Sequence, residues 1–313
     1  EDDVSWAADG TCDYSRDDND WSDAQYDNAV AASAQLAKTY DHFSSELAWN
    51  GYNGEGTPRM YIGVDRGIGN AESFGDKLSF RFSDIENNLY PYLSDIDTVA
   101  HEFVHSMTNS KFYDKFSNFP SGSGETGSIS EAYSDIFGEF NDPEYDWLHG
   151  DKIRVDGTCG RDLIDPESGT SQEHGTKQPA AYLKGSFSST VVGNEHFNST
   201  VISHAAYLMT QDNETTGLSG IAKDELEKIW FASYDQYTTT SPCFYDCRRA
   251  VVKASETLYG KNAAQTKKVK EAFDAVNLLD QDVSFIVLDA YDNSPVQNAL
   301  LKLTYSDSMS TAQ

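Results

Sequence analysis

The stretch DTVAHEFVHSMT, residues 97 to 108, carries two histidines four positions apart with a glutamate directly after the first. Ile96, Val99, Ala100, Phe103, Val104 and Met107 recur at helical spacing, which predicts an amphipathic helix with one buried stripe. His101 and His105 then share a face, one turn apart. Two imidazoles so placed can hold one zinc ion, and Glu102 stands where it can take a proton from water on that ion. With 7 histidines in 313 residues, roughly one random chain in a hundred carries such a pentapeptide, so other segments must supply the rest of a site.

A catalytic zinc site needs three protein ligands and an open position. In GSISEAYSDIFGEF, residues 127 to 140, Ile129, Ala132, Tyr133, Ile136, Phe137 and Phe140 form one apolar helical stripe. Glu131 and Asp135 lie one turn apart on another face. Glu131 suits the third ligand, and Asp135 suits the partner that fixes a ligand histidine's tautomer. The plain alternative is that SISE is a capping box and both carboxylates face solvent. A third segment, GNEHFNSTVISHAAYLM, sets His196 just before another amphipathic helix, where a lone histidine is ordinarily a cap or surface residue.

At 313 residues the chain is long enough for a large core split into lobes. Its 51 acidic against 23 basic residues give a net charge of −28, which disfavours nucleic acid and anionic membranes as partners. Acidic clusters such as SRDDNDWSD and FNDPEYDW offer the oxygen ligands calcium prefers. No run of about 18 apolar residues is present, so no membrane span is expected. The start at Glu1, in an acidic segment, suits a mature secreted chain without its leader. Cys12, Cys159, Cys243 and Cys247 allow two disulfides in three connectivities. Cys243 with Cys247, one helical turn apart, is the preferred pair, leaving Cys12 with Cys159; no usual zinc pattern fits these four.

Along the chain, helices are expected at about 23–47, near 95, and at 128–140, 197–211, 221–237, 242–258 and 264–275, with strands at 58–64 and 77–82. The organisation is an α+β lobe over 1–127, a mainly helical lobe over 128–280, and a β-strand extension over 281–313 that suits the start of a β-sandwich or a cover for the first lobe.

Taken in order, these segments resemble the thermolysin-like family of secreted zinc metallopeptidases. The resemblance runs from about Asp23 to Leu279 and includes GIAKDELEKIWFASYDQYTTTSP, CRRAVVKASETLYG and VKEAFDAVNL, which look like that family's helical C-terminal lobe. It implies a two-lobed α+β fold, here with a shortened first lobe and the zinc helix in the cleft. It implies His101, His105 and Glu131 as zinc ligands, Glu102 as general base, Asp135 behind a ligand, and His196 at the transition-state oxyanion. It further implies Arg161 on a substrate carbonyl, Asn70 and Ala71 on the strand edge that pairs with an extended peptide, and Asp97, Asp142, Asp146 and Asp151 around one calcium. Tyr113 is the nearest tyrosine to the position where the family keeps one. Gly160 stands where the family commonly has a bulky aliphatic, which predicts an enlarged pocket near Thr98 and Gly160 for a large apolar side chain just after the cleaved bond.

The expected function is a secreted, monomeric zinc endopeptidase acting on peptides or proteins. Two other readings stand beside it: a catalytically silent relative that binds peptides or surfaces, and a zinc hydrolase of a non-peptide substrate.

Overall fold

The structure is a computed structural model, and it describes residues 27–56, 60–68, 70–73, 77–82, 95–116, 123–168, 177–182 and 195–280. The chain divides into two compact units, Glu1–Leu278 and Leu279–Gln313. The strand-like runs at 283–290 and 298–306 lie outside the described residues, as do the first 26 residues with Cys12.

Within the first unit, helix α1 (Asp27–Leu47) precedes three strands, β1 (Tyr61–Ile68), β2 (Ala71–Ser73) and β3 (Lys77–Phe82). β3 is central: it pairs parallel with β1 and antiparallel with β2. Among the described residues β2 is therefore an edge strand, as expected for Asn70 and Ala71. Ala32 of α1, Leu78 of β3 and Val99 of the next helix are fully buried in one small cluster that joins sheet to helices.

The motif helix is α2 (Ile96–Phe116), and it packs on α3 (Gly124–Asn141), which in turn packs on α4 (Glu195–Thr210). Most of the expected stripe of α2 is inside: Val99, Ala100, Phe103, Val104 and Met107 are buried, and Ile96 at the helix start is half-buried. Phe103 stacks on Phe43 of α1, whose ring also meets Phe137 of α3. α3 begins a turn earlier than its apolar pattern suggests, because Gly124 takes φ +65° at its start. SISE is therefore interior to the helix, with Ser128 Oγ donating back to the Gly124 carbonyl at 3.1 Å, and the capping-box alternative does not hold.

Two short strands follow, β4 (Leu148–His149) and β5 (Arg161–Asp162), paired antiparallel. The rest is helical: α5 (Lys223–Ser233), continued as a 3-10 turn over Tyr234–Gln236, then α6 (Phe244–Tyr259) and α7 (Ala264–Ala275). Tyr133, Trp230, Tyr234 and Tyr237 form an aromatic cluster that ties α3 to this part, and Thr108 of α2 bonds the Tyr234 hydroxyl at 2.7 Å. No described helix is long and apolar enough to cross a membrane.

The expected Cys243–Cys247 disulfide is not formed; both are thiols. Their side chains serve different neighbours. Cys243 is the N-cap of α6 and accepts an N–H there, whereas Cys247 is fully buried against Tyr133 and Tyr237. Burial pushes the Cys247 thiol up to about 12, so it behaves as a small apolar side chain.

α2 and α3 approach closely because residue 138 is glycine: a Cβ there would sit 2.9 Å from the Asp97 carbonyl oxygen. Gly138→Ala is expected to push the helices apart and destabilise the protein by about 1–3 kcal/mol. Because Asp135 lies one turn away, metal affinity should fall too. Thermal melting and metal titration check this; an unchanged melting temperature would show that the helix pair yields freely.

Candidate active site

Helical spacing brings His101 and His105 onto one face of α2, and the close α2–α3 packing brings Glu131 to them. His101 Nε2 and His105 Nε2 are 3.1 Å apart, and Glu131 Oε2 lies 3.2 Å from the first and 3.5 Å from the second. Ligands about 2.0–2.2 Å from a tetrahedral ion sit roughly 3.3 Å from one another, so these three atoms already have the separations a zinc ion requires. Glu131 Oε2 and His101 are buried.

The charges agree with a cation site. Burial works against charge on His101, but Asp135 and Glu131 outweigh it and push the imidazole up to about 10. Burial also opposes charge on Glu131, yet His105, His196 and His101 hold it well below the usual carboxylate range.

Asp135 stands behind the ligands. Its Oδ1 is 3.0 Å from His101 Nδ1. Arg161 grips it with Nε on Oδ2 at 2.9 Å and Nη2 on Oδ1 at 2.5 Å, and Ser203 of α4 donates to Oδ2 at 3.4 Å. Burial would raise this carboxyl, but the Arg161 guanidinium and His101 hold it far below its ordinary range. His105 has its own support, Ser130 Oγ at 3.3 Å from Nδ1.

Glu102 is buried and joins none of the possible ligand groups among the described residues. Burial raises its pKa, against the pull of His101 and His105. His196, in the first turn of α4, brings Nε2 to 3.1 Å from Glu131 Oε2 while its side chain stays 40% exposed. Asn70 is exposed just before β2, and Ser73 of that strand meets Ser106 of α2 at 2.8 Å, which fixes the sheet edge to the motif helix. Tyr113 lies on α2, but its side chain is outside the described residues.

Matches to known proteins bear on the same segments. Residues 2–109 fit the thermolysin metallopeptidase catalytic domain and residues 122–278 the thermolysin metallopeptidase alpha-helical domain. This chain belongs to the thermolysin family of metallopeptidases. It is 32% identical over 267 residues to a bacillolysin of Brevibacillus brevis, covering 83% of this chain and 47% of the relative. With a thermolysin of Alicyclobacillus acidocaldarius it shares 31% over 266 residues, 82% and 46% of the two chains. The chain thus spans about half the length of these curated relatives. Its fold is the thermolysin-like α+β fold: a precursor of protealysin, a metalloproteinase from Serratia proteamaculans, matches with a TM-score of 0.66 at 24% identity, over 80% of this chain and 78% of that one.

The four acidic residues expected around calcium do not share one group in this thermolysin-family chain. Asp142 and Asp146 meet Glu139, Asp146 and Asp151 meet Glu144, and Asp97 meets Glu139 and His149. Glu139 and His149 were missed by sequence reasoning. Glu139 sits among the apolar residues of α3, and His149 carries no motif of its own. Gly160, expected to enlarge a pocket, also has a backbone role. A Cβ there would sit 3.1 Å from the His149 carbonyl oxygen, so glycine also eases the β4–β5 approach. Thr98 is buried, with its hydroxyl on Asp97 at 3.2 Å.

Proposed function

We propose that this chain is a secreted zinc endopeptidase with His101, His105 and Glu131 as the metal's ligands. The observation that carries the reading is the convergence of those three donor atoms at 3.1–3.5 Å, with Glu102 next to them but outside the set. Zinc held there supplies Lewis acidity, lowering the pKa of water toward about 7 and polarising a carbonyl. Glu102 accepts the water's proton as it attacks the scissile carbonyl and hands it to the leaving amine. Its raised pKa suits that exchange. His196, partly exposed at the site, donates to the developing charge on the carbonyl oxygen. Asp135 keeps a proton on His101 Nδ1, so that Nε2 faces the metal. The edge of β2 at Asn70 and Ala71, which meets no further strand among the described residues, receives an extended peptide, and Arg161, anchored on Asp135, holds a substrate carbonyl.

The decisive experiment is cleavage of a quenched peptide with and without a zinc chelator. Loss on chelation and return with added zinc are expected. Absence of cleavage by the zinc-loaded chain would favour a silent relative, although an intact Glu102 and a complete ligand set speak against one. Cleavage should fall before large apolar residues. Burying such a side chain contributes about 1.5–3 kcal/mol, a preference over alanine of about 10- to 100-fold. A cleavage profile led by alanine or glycine after the scissile bond would refute this.

A structural calcium is proposed at Asp146, which shares one possible ligand group with Asp142 and Glu139 and another with Asp151 and Glu144; Asp97 belongs to neither. Burial raises the carboxyls of Glu139, Asp146 and Asp97 and pushes Asp95 to about 11. Carboxyls raised in the folded state lose stability as pH climbs above their unfolded values of about 4, because the native form then holds protons that the unfolded chain releases. A bound cation offsets this. The rise in melting temperature on adding calcium should therefore be larger at pH 8 than at pH 5. Equal gains at both pH values would contradict the assignment.

A further inference from the structure

Where the start of α2, the end of α3 and β4 meet, a second set of donors is buried that the proposed mechanism does not use. Asp97, Glu139 and His149 offer ligand atoms all within 4.8 Å of one another. They are 2%, 0% and 6% exposed. His149 Nδ1 lies 3.5 Å from Asp97 Oδ2 and has no hydrogen-bond partner. Glu139 Oε2 accepts the Trp147 N–H at 2.7 Å, while its Oε1 is buried without a partner. Neither Asp97 nor Glu139 pairs with a lysine or arginine among the described residues. Asp97 Oδ2 accepts the Gly150 N–H at 2.8 Å, so the unsatisfied atoms are His149 Nδ1 and Glu139 Oε1, two buried ligand atoms that a cation between them would satisfy.

The imidazole selects the class of ion. Calcium prefers shells made of oxygen, whereas a histidine beside two carboxylates suits first-row transition ions such as manganese, iron(II), cobalt or zinc. The opposite edge of His149 offers no comparable demand. Its Nε2 is 3.9 Å from Asp135 Oδ1, and that carboxylate is already held by Arg161 and His101.

We propose that Asp97, Glu139 and His149 bind a second, transition-metal ion, separate from the one at His101, His105 and Glu131 and from calcium at Asp146. Asp97 is then no calcium ligand, and Glu139, which also shares a group with Asp142 and Asp146, stands between the two ions. The ion ties the first turn of the motif helix to the end of α3 and to β4. It requires no hydrolysis by the chain, so it stands or falls apart from the peptidase reading.

The test is a cobalt(II) titration of the metal-stripped full chain, with calcium in excess to fill the oxygen sites. Two equivalents are expected for the unaltered chain and one for His149→Leu. A single equivalent in the unaltered chain, two in His149→Leu, or displacement of the second by calcium at comparable concentration would each overturn the proposal. Should His149→Leu not fold, the unaltered chain decides alone. Proton NMR of its cobalt form should show three slowly exchanging, hyperfine-shifted imidazole N–H signals, from His101, His105 and the Nε2–H of His149; two such signals would overturn it.

Discussion

Glu102→Gln is expected to lower peptide hydrolysis by about 10²- to 10⁴-fold, the usual worth of a positioned proton acceptor, while zinc content and melting temperature stay nearly constant. Glutamine keeps the shape of the side chain and cannot take the proton. Because Glu102 is buried with a raised pKa, neutralising it should not destabilise the fold. Glu131→Gln should behave differently. Its Oε2 is the point on which His101, His105 and His196 all converge, and it supplies the anionic member of the ligand set. Zinc affinity should drop together with activity, and excess zinc should restore part of both. Metal analysis and single-turnover cleavage on the two variants separate the roles. Near-normal hydrolysis by Glu102→Gln, or zinc loss as ready as in Glu131→Gln, would sink the assignment of base and ligand.

What the sequence made legible was whatever a single helix can encode. His101 and His105 four apart, and Glu131 and Asp135 four apart, each share a face by helical period alone, and the buried stripe of α2 follows the same period. The helical C-terminal part was equally readable, since α4, α6 and α7 carry regular apolar patterns close to their observed spans. Contacts between elements were not readable. Nothing in the spelling of residues 139 and 149 says that Glu139 and His149 meet Asp97, because that depends on how α3 ends and where β4 turns back. The early start of α3 depends on a left-handed Gly124 and leaves no apolar signature. The Cys243–Cys247 expectation failed for a related reason. Spacing gives proximity along a helix, but side-chain direction is set by what each thiol packs against, a cap for one and the Tyr133–Tyr237 cluster for the other.

The largest stability effect is expected at Asp135. Arg161 is 3% exposed, and its guanidinium is bonded twice to this carboxylate, which is itself fully buried. Removing one member of such a pair leaves the other charge stranded away from water and costs about 3–5 kcal/mol. Asp135→Ala should therefore unfold at much lower urea than the unaltered chain, even in chelating buffer where metal contributes nothing. Replacing both partners by apolar side chains, Asp135→Leu with Arg161→Met, should recover most of that loss, because no charge is then left unpaired. Metal binding should not recover with it. His101 Nδ1 loses its partner in both variants, so zinc affinity should stay about 10- to 100-fold down. Urea denaturation and zinc competition on the single and double variants read these effects separately. If Asp135→Ala were destabilised by less than about 1 kcal/mol, the pair would not be the buried, mutually dependent one that its geometry describes. If the double variant regained zinc affinity along with stability, Asp135 would be holding Arg161 in place without orienting His101.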